Sequence, residues 1–468
     1  MHFTIFPAET YQQRRAGLCR LLPKGLILLL GNEETGMNYR DNVYPFRQDS
    51  SFLYYFGLDT PGLAAVIDPS SGKEIVFGNE LTMDQIIWTG PLPSLREMAA
   101  AVGVRETRPF DELAGFLAAE KNAGNTIHYL PPYRGTNQMR LSAWLQIPLA
   151  QVAQQASEPL IRAIVQQRAV KDPLEVAAIE EAVDISADMH LAAMQQLRPG
   201  MKEYELAAIV LEAAHRAGGR LAYNTICTIE GQVLHNHYYG NTIRKGDMVL
   251  LDAGAENPMH YAGDLTRTFP AARSFTTRQK EVYQVVFDSL AHASSLLAPG
   301  TRFIDVHAQA CEALLKGLKA IGLVKGDPAE AVQAGVHTLF FQCGLGHMMG
   351  LDVHDMEDLG EPLVGYSDTV RKRTDFGWKS LRLGRELEEG FVLTVEPGVY
   401  IIPELIDRWK AEKKHPDFVN YELLESYRDF TGVRIENNFL VTANGSKRLG
   451  KYLPMTVAEV EAIRSAAV

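Results

Sequence analysis

Two histidines lie close together in the glycine-rich stretch GLGHMMGLDVHDMEDLGEP, which begins at Gly344. His347 and His354 are seven residues apart, a spacing that fits two turns of a helix and equally a strand or a loop. Imidazoles bind metal ions and exchange protons near neutral pH. Histidines that are merely hydrogen-bonded in a polar loop are the alternative. The pair therefore becomes informative only if other ligand-type residues occupy suitable places elsewhere in the chain.

Four carboxylates lie at or inside segments that read as strands. Asp252 directly follows the apolar run Met248–Leu251, and Asp264 lies at the start of the next strand, after a turn-rich segment. Glu396 follows the apolar run of FVLTVEPGVY, and Glu436 lies within GVRIENNFLV, which we predict to be one strand. A carboxylate beside a buried strand is costly to desolvate unless it is paired or bound to a metal ion. If the two aspartate strands pair as a hairpin, their carboxylates converge on one spot.

Four carboxylates and at least one histidine form a ligand set of hard oxygens with one nitrogen. Such a set suits Mn²⁺, Fe²⁺, Co²⁺ or Zn²⁺ better than a soft metal. One ion needs fewer ligands than this, whereas carboxylates that bridge two ions about 3.5–4 Å apart would use all of them. For each acid taken singly, a structural salt bridge is the alternative, but the joint pattern favours a metal centre.

The second half of the chain contains the elements that must position these ligands. Asp172 can serve as an N-cap, Pro173 occupies the first helical position and Glu175 lies three residues after the cap, which predicts a long helix. A second helix follows a Pro-Gly break, in RPGMKEYELAAIVLEAAHRAGG. Beyond Leu221 the pattern is mostly that of strands, with one or two helices around Arg278–Gly322.

The first part of the chain, about 150 residues, alternates short strands and helices, which is typical of a small α/β domain. GLILLLGN reads as a strand, and Leu63–Gly78 reads as a hairpin around the turn DPSSG. Ser94–Val102 and Asp111–Glu120 read as helices. A chain of 468 residues is too long for one hydrophobic core. We therefore predict two domains, residues 1–165 and residues 166–468.

Composition and charge exclude several classes of protein. The net charge of −11 argues against nucleic acid as a general partner, because an acidic surface repels phosphate. The longest apolar run near the start, LILLL, is too short to span a bilayer, and no secretory signal is apparent, so we expect a cytoplasmic protein without membrane contact. The four cysteines have no paired spacing, which argues against disulfides and against a thiolate zinc site. Each is expected to be a small buried hydrophobic residue: Cys19, Cys227, Cys311 and Cys343.

Several motifs together resemble one enzyme family. LLDAGAE, AGDLTRTFP, GLGHMMGLDVHD, LTVEPGVY and GVRIENNFLV are similar to the proline-peptidase branch of the pita-bread metallopeptidases, which includes Xaa-Pro aminopeptidase (aminopeptidase P) and prolidase. YPFRQDSSFLYYFGLDTPG and IIWTG resemble the N-terminal domain of the same branch, so the resemblance covers nearly the whole chain. It implies an α/β (α+β) protein in which a creatinase-like N-terminal domain precedes a pita-bread catalytic domain.

The resemblance implies a centre of two divalent metal ions. Asp252 would chelate one ion, and His347 and Glu396 would serve mainly the other, while Asp264 and Glu436 would bridge the pair. Mn²⁺ is the expected metal, with Co²⁺, Zn²⁺ or Fe²⁺ as alternatives. The glycines around His347 would let the backbone pass close to the site.

The resemblance also assigns catalytic roles to side chains around the metals. A hydroxide between the two ions would attack the carbonyl of the Xaa-Pro bond. Glu396 would act as a proton shuttle, and His354 would donate a hydrogen bond to the tetrahedral intermediate. A third histidine is expected in VLHNHYYGN. His235 fits the family pattern better than His237, for which an exposed loop residue is the alternative.

Four further side chains are assigned supporting roles. Arg434, together with Tyr400, would hold Asp252 in position, a surface salt bridge being the alternative. Arg382 matches the prolidase arginine that receives the free carboxylate of a dipeptide's proline, the alternative being a structural pair with a nearby acid. Trp88, in IIWTG, would lie over an active site, either its own or that of a partner subunit. An ordinary tryptophan of the domain core is the alternative for Trp88.

The implied function is a metal-dependent exopeptidase that cleaves Xaa-Pro bonds at the N-terminus of peptides or in dipeptides. Arg382 and the long segment between Glu396 and Glu436 favour dipeptides. A methionine aminopeptidase shares the ligand set, but the large N-terminal domain argues against it. A metal-free binding protein of the same fold is a third possibility, and the filled ligand positions count against it. The expected partners are a proline-containing peptide and further copies of the chain, as a dimer or tetramer, by analogy only.

Overall fold

The computed structural model describes residues 4–467. The chain separates into two compact units. One contains the chain up to Arg168 together with the short segment Met356–Leu363, and the other contains Ala169–Asp355 and the chain from Val364 onward. Among the described residues, no helix is long and apolar enough to cross a membrane.

The first unit is built around a mixed sheet of five strands. The strands of this unit are β1 Leu26–Leu30, β2 Gly36–Tyr39, β3 Asn42–Val43, β4 Ala64–Asp68, β5 Lys73–Phe77, β6 Glu106–Arg108 and β7 Ile127–His128. The order in the sheet is β6-β5-β4-β1-β7, in which β4 pairs antiparallel with β1 and β5, whereas β1–β7 and β5–β6 are parallel pairs. Its helices are α1 Ala8–Leu21, α2 Ser50–Phe56, α3 Met83–Thr89, α4 Leu95–Ala101, α5 Glu112–Asn122, α6 Gly135–Leu145 and α7 Glu158–Ala169.

The predicted hairpin of this unit is confirmed, and its turn has a local cause. β4 and β5 pair in register from Ala64 opposite Phe77 to Asp68 opposite Lys73. The Asp68 carboxylate accepts hydrogen bonds from the backbone and hydroxyl of Ser70, which closes the turn. The predicted strand at Leu26–Leu30 and both predicted helices are present as well, as β1, α4 and α5.

The second unit combines long helices with several small antiparallel sheets. Its helices are α8 Pro173–Gln196, α9 Glu203–Arg216, α10 Thr277–Ser295, α11 Phe303–Ala320, α12 Pro328–Gln333, α13 Glu361–Val364, α14 Pro403–Ala411, α15 Tyr421–Glu425 and α16 Val457–Ala467, although most of α13 is counted with the first unit. Its strands are β8 Arg220–Leu221, β9 Ile226–Thr228, β10 Met248–Asp252, β11 Ala255–Glu256, β12 Thr266–Pro270, β13 Val392–Val395, β14 Gly398–Tyr400, β15 Gly432–Arg434, β16 Asn437–Thr442 and β17 Gly445–Arg448.

The helix predicted from its cap residues begins where expected. Asp172 accepts hydrogen bonds from the backbone of Leu174 and Glu175, and the Glu175 side chain bonds back to the backbone of Asp172. This capping box satisfies amide groups that the first turn would otherwise leave unpaired. The second predicted helix is α9, and the helical region around Arg278–Gly322 contains α10 and α11, which pack against each other.

The strands that carry the acids pair as antiparallel neighbours. β10 lies between β9 and β12, with Asp252 opposite Thr266, so the predicted hairpin of the two aspartate strands is confirmed. β13 pairs with β16, and β14 pairs with β15. The prediction that Glu436 lies inside one continuous strand was wrong. Glu436 lies in the break between β15 and β16, because the chain leaves the pair with β14 there and joins the sheet of β13.

Candidate metal and catalytic site

The two aspartates meet at the end of the β10–β12 hairpin. Asp252 is the last residue of β10, and Asp264 lies two residues before β12. The hydroxyl of Tyr223 lies 2.6 Å from Asp252 Oδ1 and also contacts Asp264 Oδ1. A single phenol therefore holds two mutually repelling carboxylates on one spot.

His347 joins the aspartates from the glycine-rich stretch. Its Nε2 lies 3.3 Å from Asp264 Oδ2 and 3.6 Å from Glu396 Oε1. Its Nδ1 lies 3.0 Å from the carbonyl oxygen of Met348, so Nδ1 carries the proton and donates it there. This tautomer leaves the Nε2 lone pair turned towards the acids, as a metal ligand requires.

The glycine before His347 has a steric cause. A Cβ atom built on Gly346 would lie 2.0 Å from the carbonyl oxygen of Thr394 in β13. Only a residue without a side chain allows this approach, which places the backbone amide of His347 3.1 Å from Thr394 Oγ1. The same hydroxyl donates to Glu396 Oε1 at 3.4 Å, so Thr394 ties the histidine to the glutamate.

Glu436 completes a buried cluster that fits a cation. The ligand atoms of Asp264, His347 and Glu436 all lie within 4.8 Å of one another, and all three residues are buried. Glu436 Oε2 accepts a hydrogen bond from Thr266 at 2.6 Å, whereas Oε1 is buried and has no hydrogen-bond partner among the described residues. Buried polar atoms are almost always satisfied, so this oxygen marks a position that a metal ion would fill.

The raised pKa values of the carboxyl groups in the cluster also support a cation site. Burial, followed by the charge of Asp252, raises the pKa of Asp264 to about 7. Burial raises the pKa of Glu396 to about 7, although His347 and Arg434 act against it. Burial and then Asp264 raise the pKa of Glu436 well above its ordinary value. Without cations, these carboxyls keep protons near neutral pH, and divalent ions would replace those protons.

Arg434 lies behind the cluster and is buried. One guanidinium nitrogen donates to Asp252 Oδ2 at 2.5 Å, another donates to the Tyr400 hydroxyl at 2.8 Å, and Nε donates to Thr266 Oγ1 at 3.2 Å. Thr266 thus contacts both Arg434 and Glu436. The three contacts fix the orientation of the Asp252 carboxylate.

The other three histidines predicted from the sequence are His354, His235 and His237. The ring of His354 is half-buried and packs at 68° to that of His347, with 4.3 Å between centroids. His235 is exposed, yet partial desolvation and then the charge of Arg434 lower its pKa. Smaller effects of Arg382 and His354 on the same ring show that all of these charges act in one region. His237 is exposed in the same loop.

The sequence also singled out Arg382 and Trp88. Arg382 is half-buried, and its charge contributes to the lowered pKa of His235. Trp88 lies on α3 of the first unit and is 86% exposed. The alternative that Trp88 is a core tryptophan of its domain was therefore wrong.

Sequence reasoning missed several side chains that shape the site. Tyr223 gave no signal, because a tyrosine in a loop has many ordinary roles. Thr266 could have been found, since it lies two residues after Asp264 and shares a face with it. Lys171 and Asp355 form an ion pair at 2.8 Å, and both side chains are only 1% exposed. Asp355 directly follows His354 in the chain. No local pattern connects two residues so far apart in sequence.

Comparison with known proteins identifies the class. Residues 177–443 match the model of metallopeptidase family M24, and residues 11–128 match the aminopeptidase P N-terminal domain. The chain therefore belongs to metallopeptidase family M24, and the expected fold, an α/β N-terminal domain before a pita-bread catalytic domain, is confirmed.

The similar proteins narrow the class to the proline-specific branch. Human Xaa-Pro dipeptidase is 33% identical over 97% of this chain and 93% of the relative. The Xaa-Pro aminopeptidase of Escherichia coli (strain K12) is 31% identical over 98% of both chains. A variant of Escherichia coli aminopeptidase P in complex with substrate and Pseudomonas aeruginosa aminopeptidase PepP each have a TM-score of 0.81 and cover 99% of both chains, at 29% and 28% identity. The predicted enzyme class, an Xaa-Pro metallopeptidase, is confirmed.

Proposed function

We propose that this chain is a dinuclear metal-dependent exopeptidase that hydrolyses Xaa-Pro bonds and prefers dipeptides. The observation that carries the proposal is the buried cluster of Asp264, His347 and Glu436, whose ligand atoms lie within 4.8 Å of one another. Asp252 and Glu396 lie beside it, and one Glu436 oxygen has no partner among the described residues. Burial of several carboxylates is costly unless cations compensate their charge, which argues against a metal-free binding protein.

Five side chains would hold the ions. Asp264 and Glu436 would bridge the two ions, Asp252 would serve one of them, and His347 and Glu396 would serve mainly the other. Two divalent ions, Mn²⁺ being the proposed pair, supply Lewis acidity that makes a water molecule a nucleophile near neutral pH. The oxygen-rich ligand set supports a hard or borderline cation.

The surrounding side chains handle the proton and the developing charge. Glu396 takes the proton of the attacking water and returns it to the proline nitrogen as the amide bond breaks. His354 donates a hydrogen bond to the tetrahedral intermediate, and His235 assists in binding the substrate, in preference to His237. Arg434 and Tyr400 keep Asp252 in position.

The preference for dipeptides depends on Arg382. A dipeptide ending in proline carries its free carboxylate close to the scissile bond, and a planar guanidinium binds a carboxylate through two hydrogen bonds. The shared electrostatic effect of Arg382 and Arg434 on His235 supports a position near the site. Both an Xaa-Pro dipeptidase and an Xaa-Pro aminopeptidase are similar to this chain. Measured cleavage of dipeptides and of longer peptides must therefore distinguish the two activities.

The experiment compares three peptides, Gly-Pro, Gly-Pro-Ala and Met-Ala-Ser, as substrates of the Mn²⁺-loaded enzyme. We expect hydrolysis of Gly-Pro above the others. In Arg382→Ala, the lost charge-assisted contact of about 1.5–3 kcal/mol should lower kcat/KM on Gly-Pro by roughly ten- to a hundred-fold. Gly-Pro-Ala, whose carboxylate lies one residue farther out, should lose much less.

The matched control is Arg385→Ala. Arg385 is also half-buried and lies three residues away, but it pairs with Glu388 at 2.7 Å. The Arg385→Ala substitution should leave kcat/KM on both Gly-Pro and Gly-Pro-Ala unchanged. An equal loss on both peptides in Arg382→Ala, or better cleavage of long Xaa-Pro peptides than of dipeptides by the unaltered enzyme, would leave aminopeptidase P as the function. Cleavage of Met-Ala-Ser alone would favour a methionine aminopeptidase.

We also propose the domain and assembly assignments made from the sequence. Residues 1–165 would form the N-terminal domain and residues 166–468 the catalytic domain, in a cytoplasmic homo-oligomer, a dimer or a tetramer. The exposed apolar side chains of α3, which include Ile87 at 70% and Trp88, support contact with another copy. Sedimentation of Trp88→Asp tests this, since a smaller assembly than that of the unaltered chain is expected.

A further inference from the structure

The second unit contains another group of side chains that could bind a metal ion, distinct from the cluster of Asp264, His347 and Glu436. His307 and Cys311 are one turn apart on α11, and His337 lies on the 3₁₀ turn Val336–Leu339. All three residues are buried, and their ligand atoms lie within 4.8 Å of one another. Cys311 Sγ is 3.6 Å from His307 Nε2.

The two imidazoles in this group are poorly satisfied. His307 Nδ1 and both ring nitrogens of His337 are buried and have no hydrogen-bond partner among the described residues. The indole of Trp378 contacts both rings edge-on, at centroid distances of 4.8 and 5.6 Å, and offers them no acceptor. Three unpaired nitrogens in one buried place are unusual, because native proteins pair nearly all buried polar atoms.

The chemical state of the group suits a metal ion. Burial lowers the pKa of His307 to about 3 and that of His337 to about 4, so both rings are neutral and keep a lone pair at neutral pH. Burial raises the pKa of the Cys311 thiol, which is therefore protonated in the metal-free chain. An ion that binds there displaces this proton and gains a thiolate ligand.

We propose that His307, Cys311 and His337 form a third metal position, separate from the acids, which takes a borderline cation of the Zn²⁺ type. In a tetrahedral zinc site with bonds of about 2.3 Å to sulfur and 2.0–2.1 Å to nitrogen, sulfur and nitrogen lie roughly 3.6 Å apart. Cys311 and His307 already have this separation. A small shift of His337 would complete the three protein ligands.

The composition of this group also separates it from the acids. Thiolate and imidazole ligands select zinc-like ions, whereas oxygen ligands accept Mn²⁺. The sequence argued against a thiolate zinc site because it contains no closely spaced cysteine pair. That argument covers sites built from cysteine pairs, but it does not cover two ligands on a helix and a third on a distant turn.

The ion would have a structural role. It would fasten α11 to the turn Val336–Leu339, whose next residue, Phe340, accepts a hydrogen bond at 2.8 Å from the backbone of Tyr400. The chain then continues through the glycine-rich stretch to His347. Loss of the ion should therefore loosen the segment that leads into the proposed catalytic cluster, without removing a catalytic group.

Co²⁺ is the probe that distinguishes the two sites. A thiolate bound to Co²⁺ absorbs in the near ultraviolet by charge transfer, and the acid cluster has no sulfur ligand. Protein produced with Co²⁺ should show this band with one thiolate-bound ion per chain, and Zn²⁺ should abolish it. Cys311→Ser should lose the band and one ion. Cys227→Ser, which alters a buried cysteine on β9, is the matched control and should keep both.

Folding of each variant is checked by far-ultraviolet circular dichroism. If Cys311→Ser does not fold, His337→Gln tests the same ligand set and should also shift or remove the band. The absence of a band in the unaltered protein would refute the proposal whatever the variants do. A band that persists in Cys311→Ser and disappears in Cys343→Ser would refute it as well, because the sulfur ligand would then be another residue.

Discussion

The buried ion pair of Lys171 and Asp355 offers a test of how the second unit is held together. The two side chains are 2.8 Å apart and 1% exposed. The Asp355 amide donates to the carbonyl oxygen of Met348 at 3.0 Å, so the pair also anchors both ends of the loop between His347 and His354. The perturbation is Lys171→Met, which keeps most of the side-chain volume and removes the charge.

The expected magnitude follows from the burial. Removing one partner of a buried pair takes away the opposite charge that stabilises the other, and typically costs about 3–5 kcal/mol of unfolding free energy. Replacing both partners, as in Lys171→Met with Asp355→Asn, should restore much of that loss, because neither charge then remains buried. The surface pair Lys447–Glu180, at 2.9 Å with 55% and 35% exposure, is the control, and Lys447→Met should cost less than about 1 kcal/mol.

The assay is urea unfolding of the metal-free protein, followed by circular dichroism, for both single variants and the double variant. A positive coupling energy in this double-mutant cycle is the expected result. The kcat on Gly-Pro should also fall in Lys171→Met, by roughly ten-fold or more, because His354 follows the displaced loop. If Lys171→Met costs no more than Lys447→Met, or if the two single losses simply add, the reasoning from burial is refuted.

Three further predictions concern the proposed catalytic cluster. His354→Ala should keep both Mn²⁺ ions but lower kcat on Gly-Pro by roughly ten- to a thousand-fold, and an equal loss of metal measured by elemental analysis would instead make His354 a ligand. Asp264→Ala should lose Mn²⁺ binding and activity together, whereas retention of two ions with normal turnover would contradict the bridging role. The raised pKa values of Asp264 and Glu396, about 7, lie above their ordinary values of 3.8 and 4.5, so protonation favours the folded state. The unfolding free energy of the metal-free protein should therefore fall as the pH rises from about 4 to about 8, while Mn²⁺ affinity rises over the same range, and titrations at several pH values check both trends.

Local signals explain the part of the fold that the sequence predicted. The Asp172 cap with Pro173 and Glu175, the apolar run that ends in Asp252, and the DPSSG turn each act over a few residues, and each is confirmed. The break at Glu436 was missed because it depends on which distant strands the chain pairs with on either side. Register between distant strands is set by the whole sheet and is not encoded in six consecutive residues.

The candidate site was predictable to a similar extent. Acids that follow apolar runs stand out, because burial of an unpaired carboxylate is costly. Tyr223, which joins Asp252 to Asp264, did not stand out, since its role arises only when two loops meet. The ion pair of Lys171 with Asp355 and the proximity of Cys311 to His337 were also missed, because both depend on tertiary packing.

The spread of the proposed ligands along the chain has a consequence for biosynthesis. The ribosome synthesises Asp252 and Asp264 long before Glu436. The proposed set of five metal ligands is therefore incomplete until most of the second unit has been translated. The complete set of proposed ligands is available only after that point. His307 and His337 belong to one short stretch that is translated earlier. All three ligands of the proposed zinc-type position are therefore synthesised before the proposed catalytic cluster has its last ligand.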